Sequence, residues 1–223
     1  MTDLPRTAAE LASLIDHTLL SPSASGSAID RLCAEARERG LFSVCVNPCW
    51  VPRAKWALDG SEVAVCTVVG FPLGANASAT KADEAARAIA EGADELDMVM
   101  NVGWLLDGDH DAVHEDVAAV VGAAKGRVVK VILEVALLSL EQVRRASELA
   151  VAGGASFVKT STGFGPGGAT LEAVAAMREV VGAEIGVKAS GGIRDAATAR
   201  AMIEAGASRI GASASLAILD GWG

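Results

Sequence analysis

Residues Leu149–Ser161 read LAVAGGASFVKTS, which is the end of an amphipathic helix, a glycine, small residues, and then a short apolar run. The same sentence recurs as EARERGLFSVCVN at 35–47, AIAEGADELDMVMN at 88–101 and MIEAGASRIGAS at 202–213. In each copy a glycine (Gly40, Gly92, Gly153 or Gly154, Gly206) stands where a helix takes a left-handed C-terminal cap. Thr7-Ala-Ala-Glu10 and Ser139-Leu-Glu-Gln142 fit the capping box that opens a helix. A repeating helix–Gly–strand unit is the signature of parallel strands joined by helical crossovers.

Eight strands are expected, near Ile15–Thr18, Phe42–Val46, Val63–Val69, Glu95–Asn101, Val128–Glu134, Phe157–Lys159, Ile185–Lys188 and Arg209–Gly211. Eight strand–helix units in 223 residues is the length of a compact (β/α)8 barrel, with an open doubly wound sheet as the alternative. No linker or low-complexity tract divides the chain, so residues 1–223 are expected to form one barrel domain.

Composition narrows the function classes. The chain has 24 Gly, no Tyr, 51% hydrophobic residues and a net charge of -9, with no cluster of Lys and Arg. That balance argues against a nucleic-acid binder. No run of about 18 apolar residues is long enough for a membrane span, and the N-terminus lacks a basic start followed by an apolar core. Cys33, Cys45, Cys49 and Cys66 show neither redox nor zinc spacing, so free thiols in a reducing cytoplasm are expected, with no metal and no cofactor.

The strands are not uniformly apolar, as parallel strands buried on both faces would be. Side chains alternate across a strand, so Glu95, Asp97 and Asn101 oppose Leu96, Met98 and Met100. Lys130 and Glu134 likewise oppose Val131 and Leu133; Ser43, Cys45 and Asn47 oppose Val44 and Val46. Lys188 and Ser190 oppose Val187 and Ala189, and Lys159 and Ser161 oppose Val158 and Thr160. If the apolar face packs on helices, polar groups from five strands converge on the barrel lumen. A lumen of paired charges that only holds the barrel together is the other reading of this pattern.

A buried, unpaired lysine is costly. Lys159 and Lys188 should lie on adjacent strands, where repulsion and burial both favour the neutral amine that carbonyl addition requires. Asp97 supplies a proton carrier, and Asp16 a second one. His17 faces the opposite side by parity and reads as structural, and His110 and His114 as solvated helix residues. Gly191 and Gly192 follow the seventh strand, and Gly211 and Ser213 belong to the eighth strand and its following turn, where barrels often place a phosphate.

Five of these segments, FVKTSTGF, VKASGGIR, ELDMVMN, KVILE and DHTLL, resemble deoxyribose-phosphate aldolases, nearly end to end and in order. The resemblance implies a metal-free class I aldolase. Its substrate would be a phosphorylated sugar, 2-deoxy-D-ribose 5-phosphate, cleaved reversibly to D-glyceraldehyde 3-phosphate and acetaldehyde. It implies Lys159 as the Schiff-base lysine, Lys188 as the lysine that perturbs it and moves protons, and Asp97 as acid/base. Asp16, Thr18, Cys45 and Thr162 would line the pocket, and Gly191, Gly192 and Ser213 its phosphate end.

Three departures from the family pattern stand out. Ala214 follows Ser213 where many members have a second serine. Phe164 stands where some have a phosphate-holding lysine. The chain has no tyrosine to assist proton transfer, which leaves that relay to Asp97, Lys188, Asp16 and water. The rival readings are another Schiff-base phospho-sugar barrel and a non-catalytic sugar-phosphate-binding barrel. The latter is disfavoured if two lumen lysines lack matching carboxylates. A homo-oligomer, dimer or tetramer, is expected.

Overall fold

A computed structural model describes residues 4–223. Eight strands form a closed, wholly parallel barrel in chain order. They are β1 (Ile15–Leu19), β2 (Ser43–Val46), β3 (Ala64–Val69), β4 (Glu95–Val99), β5 (Val128–Ile132), β6 (Phe157–Lys159), β7 (Gly186–Ser190) and β8 (Arg209–Ala212). The helices are α1 (Ala8–Ala12), α2 (Gly26–Arg39), α3 (Val51–Ala57), α4 (Ser78–Ala90), α5 (Val102–Asp107), α6 (His110–Ala123), α7 (Leu140–Ala152), α8 (Leu171–Val181), α9 (Ala196–Glu204) and α10 (Ser215–Asp220). This is the (β/α)8 architecture, and the doubly wound alternative is excluded by closure of β1 on β8.

The local signals explain the helix ends. Gly40 caps α2 at φ 63, and Gly92, Gly154 and Gly206 also take positive φ. Ser139 and Gln142 form the complete capping box of α7. At α1 only half of the expected box forms: Thr7 accepts from the Glu10 N–H, but the Glu10 carboxylate takes the Arg6 N–H instead of that of Thr7.

The outer face of the barrel carries Val44, Leu96, Met98, Val131, Val158, Val187 and Ile210. They are buried against helix residues such as Ile29, Val117, Val143, Val174 and Ile203. Each such side chain contributes about 1.5–3 kcal/mol on burial. One ion pair is sunk in this layer. Lys81 of α4 donates to Asp116 of α6 at 2.6 Å and to the Val99 carbonyl at the end of β4 at 2.9 Å. Both residues are wholly buried, so α4, α6 and the end of β4 are tied at one point.

Strand register and alternation stack the lumen in three layers of four, as a packed eight-stranded barrel requires. Ser43, Glu95, Phe157 and Arg209 form the bottom, Asp16, Cys66, Lys130 and Lys188 the middle, and Cys45, Asp97, Lys159 and Gly211 the top. Gly211 is small because Lys188 needs the room: a Cβ there would lie 2.9 Å from the Lys188 Cε.

Candidate active site

The lumen holds four cations, Lys130, Lys159, Lys188 and Arg209, and three carboxylates, Asp16, Glu95 and Asp97. Asp97 is the hub. Its Oδ1 accepts from Lys130 Nζ at 2.8 Å, and its Oδ2 accepts from both Lys159 Nζ and Lys188 Nζ at 2.7 Å. Asp16 accepts from Lys188 at 2.5 Å and from Arg209 at 2.8 Å. Glu95 pairs with Lys130 at 2.6 Å and with Arg209 at 3.2 Å. Arg209 is fixed from below by the Phe42 ring, 3.5 Å from its guanidinium carbon, with Phe157 at 5.3 Å.

These pairings correct the expectation that the lumen lysines lack matching carboxylates and that repulsion dominates between them. Burial opposes the charge on Lys188, but Asp16 and Asp97 outweigh it and hold its pKa well above the ordinary lysine value. Lys130 is raised for the same reason: burial works against its charge, and Asp97 and its neighbours prevail. Burial likewise opposes the charge on Asp97, yet Lys130, Lys159 and Lys188 hold its carboxyl well below the usual range. Asp16 is pulled down by Lys188, Lys130 and Arg209 against a similar burial penalty.

The three lysines differ in access. Lys130 and Lys188 are fully buried beneath the top layer. Lys159, the last residue of β6, reaches the floor of a cup of about 420 Å3 at the C-terminal rim, and its only carboxylate contact among the described residues is Asp97. The cup is also lined by Thr18, Thr162, Gly191, Gly192 and Ser213, so the structure gathers these with Lys159. Asp16 and Cys45 lie deeper, wholly buried in the middle and top layers, and Asp97 and Lys188 lie just under the floor.

Several expectations from alternation stop at the strand ends, where the chain turns. Asn47 opens the short 3-10 turn after β2 and donates to the Leu20 carbonyl, and Asn101 caps α5 by accepting the Trp104 N–H. Glu134 leaves the strand face altogether, at φ 55. His17 sits on the outer face between Ser215 and Glu35, both at 2.9 Å. His110 and His114 are half-buried rather than solvated; His114 meets the Ala152 carbonyl and His110 faces Arg145.

Lys130, Glu95 and Arg209 complete the charge network without having been assigned roles from sequence, although Lys130 was legible by parity. Arg194 on the cup wall was missed; its place two residues after Gly192 was the available signal. Cys45, Cys66 and Asp97 bring donor atoms within 4.8 Å of one another, as do Asp16, Cys66 and Glu95. Lys130 Nζ already occupies that space, 3.3 Å from Cys66 Sγ, so an ammonium stands where a cation would go.

Fold and site together define a (β/α)8 barrel with a lumen of paired amines and carboxylates beneath an open cup at its C-terminal rim. A model of the DeoC/LacD family aldolases matches residues 11–221, and the chain belongs to that family, one of carbon–carbon lyases. It is 58% identical over 211 residues to the deoxyribose-phosphate aldolase of Coprothermobacter proteolyticus, covering 95% of this chain and 96% of that one. It is 56% identical over 211 residues to the enzyme of the same name from Lysinibacillus sphaericus, covering 94% and 95%. Among solved structures, the tetrameric deoxyribose phosphate aldolase of Aeropyrum pernix superposes with a TM-score of 0.89 at 35% identity, covering 96% of this chain and 91% of that one.

Proposed function

We propose that the chain cleaves 2-deoxy-D-ribose 5-phosphate reversibly to D-glyceraldehyde 3-phosphate and acetaldehyde, with Lys159 as the Schiff-base lysine. The observation that carries the assignment of the nucleophile is access: of three lumen lysines, Lys159 alone lines the cup, and it has the fewest carboxylate contacts.

The free amine of Lys159 adds to the aldehyde carbon of the open-chain sugar. A proton passes to the resulting hydroxyl, water leaves, and an iminium forms. Loss of the proton from the C3 hydroxyl breaks the C2–C3 bond, releases glyceraldehyde 3-phosphate and leaves an enamine on Lys159. Protonation at C2 and hydrolysis then free acetaldehyde. Lys188 is the proton donor beside the reacting nitrogen. Asp97 accepts protons and remains the counter-charge of the iminium, since its Oδ2 already lies 2.7 Å from Lys159 Nζ. Amine, carboxylate and water balance every step, so the scheme calls for no metal or cofactor.

The sugar phosphate lies along Thr18 and Thr162 with its phosphate toward Gly191, Gly192 and Ser213. Asp16 and Cys45 act from beneath. Arg194 supplies the cation that Phe164 does not. The test is turnover: purified protein should release glyceraldehyde 3-phosphate from the sugar, and Lys159→Met should lose activity while keeping its fold. Activity retained in that variant would sink the assignment.

The remaining features of the proposal concern setting. Residues 1–223 act as one catalytic domain without nucleic-acid or membrane partners, consistent with a net charge of -9. Among the described residues no helix is long and apolar enough to cross a membrane, and all four cysteines are free, which fits work in the cytoplasm. The chain self-associates as a dimer or tetramer. The tetrameric relative and the 80% exposed Trp56 on α3 support this, and light scattering checks it.

A further inference from the structure

Glu134 is a buried carboxylate that the scheme above leaves unused. It is 5% exposed, follows β5 in a left-handed conformation (φ 55, ψ 60), and has no salt-bridge partner among the described residues. Its Oε2 accepts the Thr162 N–H at 3.3 Å and, in a short contact, the Thr162 hydroxyl. Its Oε1 is buried with no hydrogen-bond partner among the described residues. The left-handed turn explains the placement: it takes the side chain off the lumen face and slides it under the loop that follows Lys159.

That loop, TGFGPGG at 162–168, has one other side-chain anchor, the Phe164 ring packed edge-on against Phe71 at 5.3 Å between centroids. The Thr162 oxygen accepts the Phe164 N–H at 3.0 Å, so the threonine hydroxyl is committed on both sides, giving to Glu134 and receiving from Phe164. Gly165 closes over the carboxylate, where a Cβ would come within 2.9 Å of the Glu134 Cδ. The far end of the loop is tied separately, by the Ala169 N–H to the Gly191 carbonyl at 3.0 Å. Thr162, Gly163 and Phe164, the residues that this arrangement fixes, are cup-lining residues.

We propose that Glu134 is a positioning residue. By holding both hydrogen-bond donors of Thr162 it sets the Thr162–Phe164 rim against the cup, and so governs binding of the sugar phosphate rather than amine chemistry at Lys159. The inference rests on the aldolase reading above.

The test compares Glu134→Ala, Thr162→Val and their combination with the conservative Glu134→Gln and Thr162→Ser, which keep the accepting oxygen and the hydroxyl. Glu134→Ala should raise the KM for deoxyribose 5-phosphate about tenfold or more, with kcat within about twofold. Borohydride trapping of acetaldehyde on Lys159 should proceed in that variant as in the wild type. Thr162→Val should raise KM similarly, the double variant should be no worse than Glu134→Ala, and the two conservative variants should restore binding. Should Glu134→Ala fail to fold, the Thr162→Val and Thr162→Ser pair carries the comparison. An unchanged KM in the folded variants, additive effects in the double variant, or a fall in kcat and trapping at constant KM overturns the proposal. A wild type that neither turns over the sugar nor forms the acetaldehyde adduct overturns the aldolase reading, and this inference with it.

Discussion

Lys159 and Lys188, directly paired across β6 and β7, share one oxygen: both ammonium nitrogens lie 2.7 Å from Oδ2 of Asp97. In the proposed scheme, these two amines are the nucleophile and the proton donor, connected by a single acceptor. Any proton leaving one lysine has the other within two hydrogen bonds.

Removing the charge of that acceptor should therefore damage fold and chemistry together. Asp97→Asn leaves Lys130, Lys159 and Lys188 facing a neutral amide in a closed lumen. Stability should fall by about 3–5 kcal/mol, the cost of uncompensated buried charge. Turnover should drop about 10²–10⁴-fold, the span of a positioned proton carrier. Urea unfolding and steady-state rates measure the two effects separately.

Lys188→Met removes the cation that shares Asp97 with Lys159 and leaves Asp16 with one partner fewer. Lys159 is then the one amine left on Asp97 Oδ2, with no second ammonium on that oxygen to give up a proton. The kcat should be lower by at least about a hundredfold. A kcat within about tenfold of the wild type, measured in steady state, would count against Lys188 as the proton donor.

The network also sets how stability depends on pH. Asp16 and Asp97 are depressed in the folded state, so their contribution is complete above the unfolded carboxyl pKa of about 3.9 and is lost as pH falls through the lower folded values. Lys130 and Lys188 are raised, so theirs is complete below the unfolded amine pKa of about 10.4 and is lost as pH rises through the higher folded values. As far as these four groups are concerned, melting temperature should be flat between about pH 5 and 9 and fall on both sides. A steep change near neutrality would place the controlling group outside these four.

Arg194 stands on the cup wall with Gly191, Gly192 and Ser213. Arg194→Ala should raise the KM for the phosphorylated sugar about tenfold, the loss of one charge-assisted hydrogen bond. Activity on unphosphorylated deoxyribose should change by no more than about twofold. Equal losses on both substrates would assign Arg194 to the fold of the rim instead.

Much of this was readable in the residues, for a physical reason. Strand alternation has period two, so ELDMVMN places Asp97 opposite Leu96 and Met98 whatever the rest of the chain does, and KVILE places Lys130 inward in the same way. Alternation fails where the strand ends: Asn47 and Asn101 became the opening residues of the next helical turn, and Glu134 turned under a loop. Ion pairing was not legible, because Lys188 meets Asp16 across 172 positions and Arg209 meets Glu95 across 114. Only closure of the barrel brings those partners together, and they reverse the expected direction for Lys188. Arg209 itself looked like an ordinary strand start, since its anchoring rings, Phe42 and Phe157, lie on other strands or just before them.

The most direct measurement is borohydride reduction of the protein with 2-deoxyribose 5-phosphate, followed by peptide mass spectrometry. The account predicts one reduced adduct, on Lys159, and none in Lys159→Met. An adduct on Lys188 or Lys130, or no adduct in folded protein that binds the sugar phosphate, would contradict it.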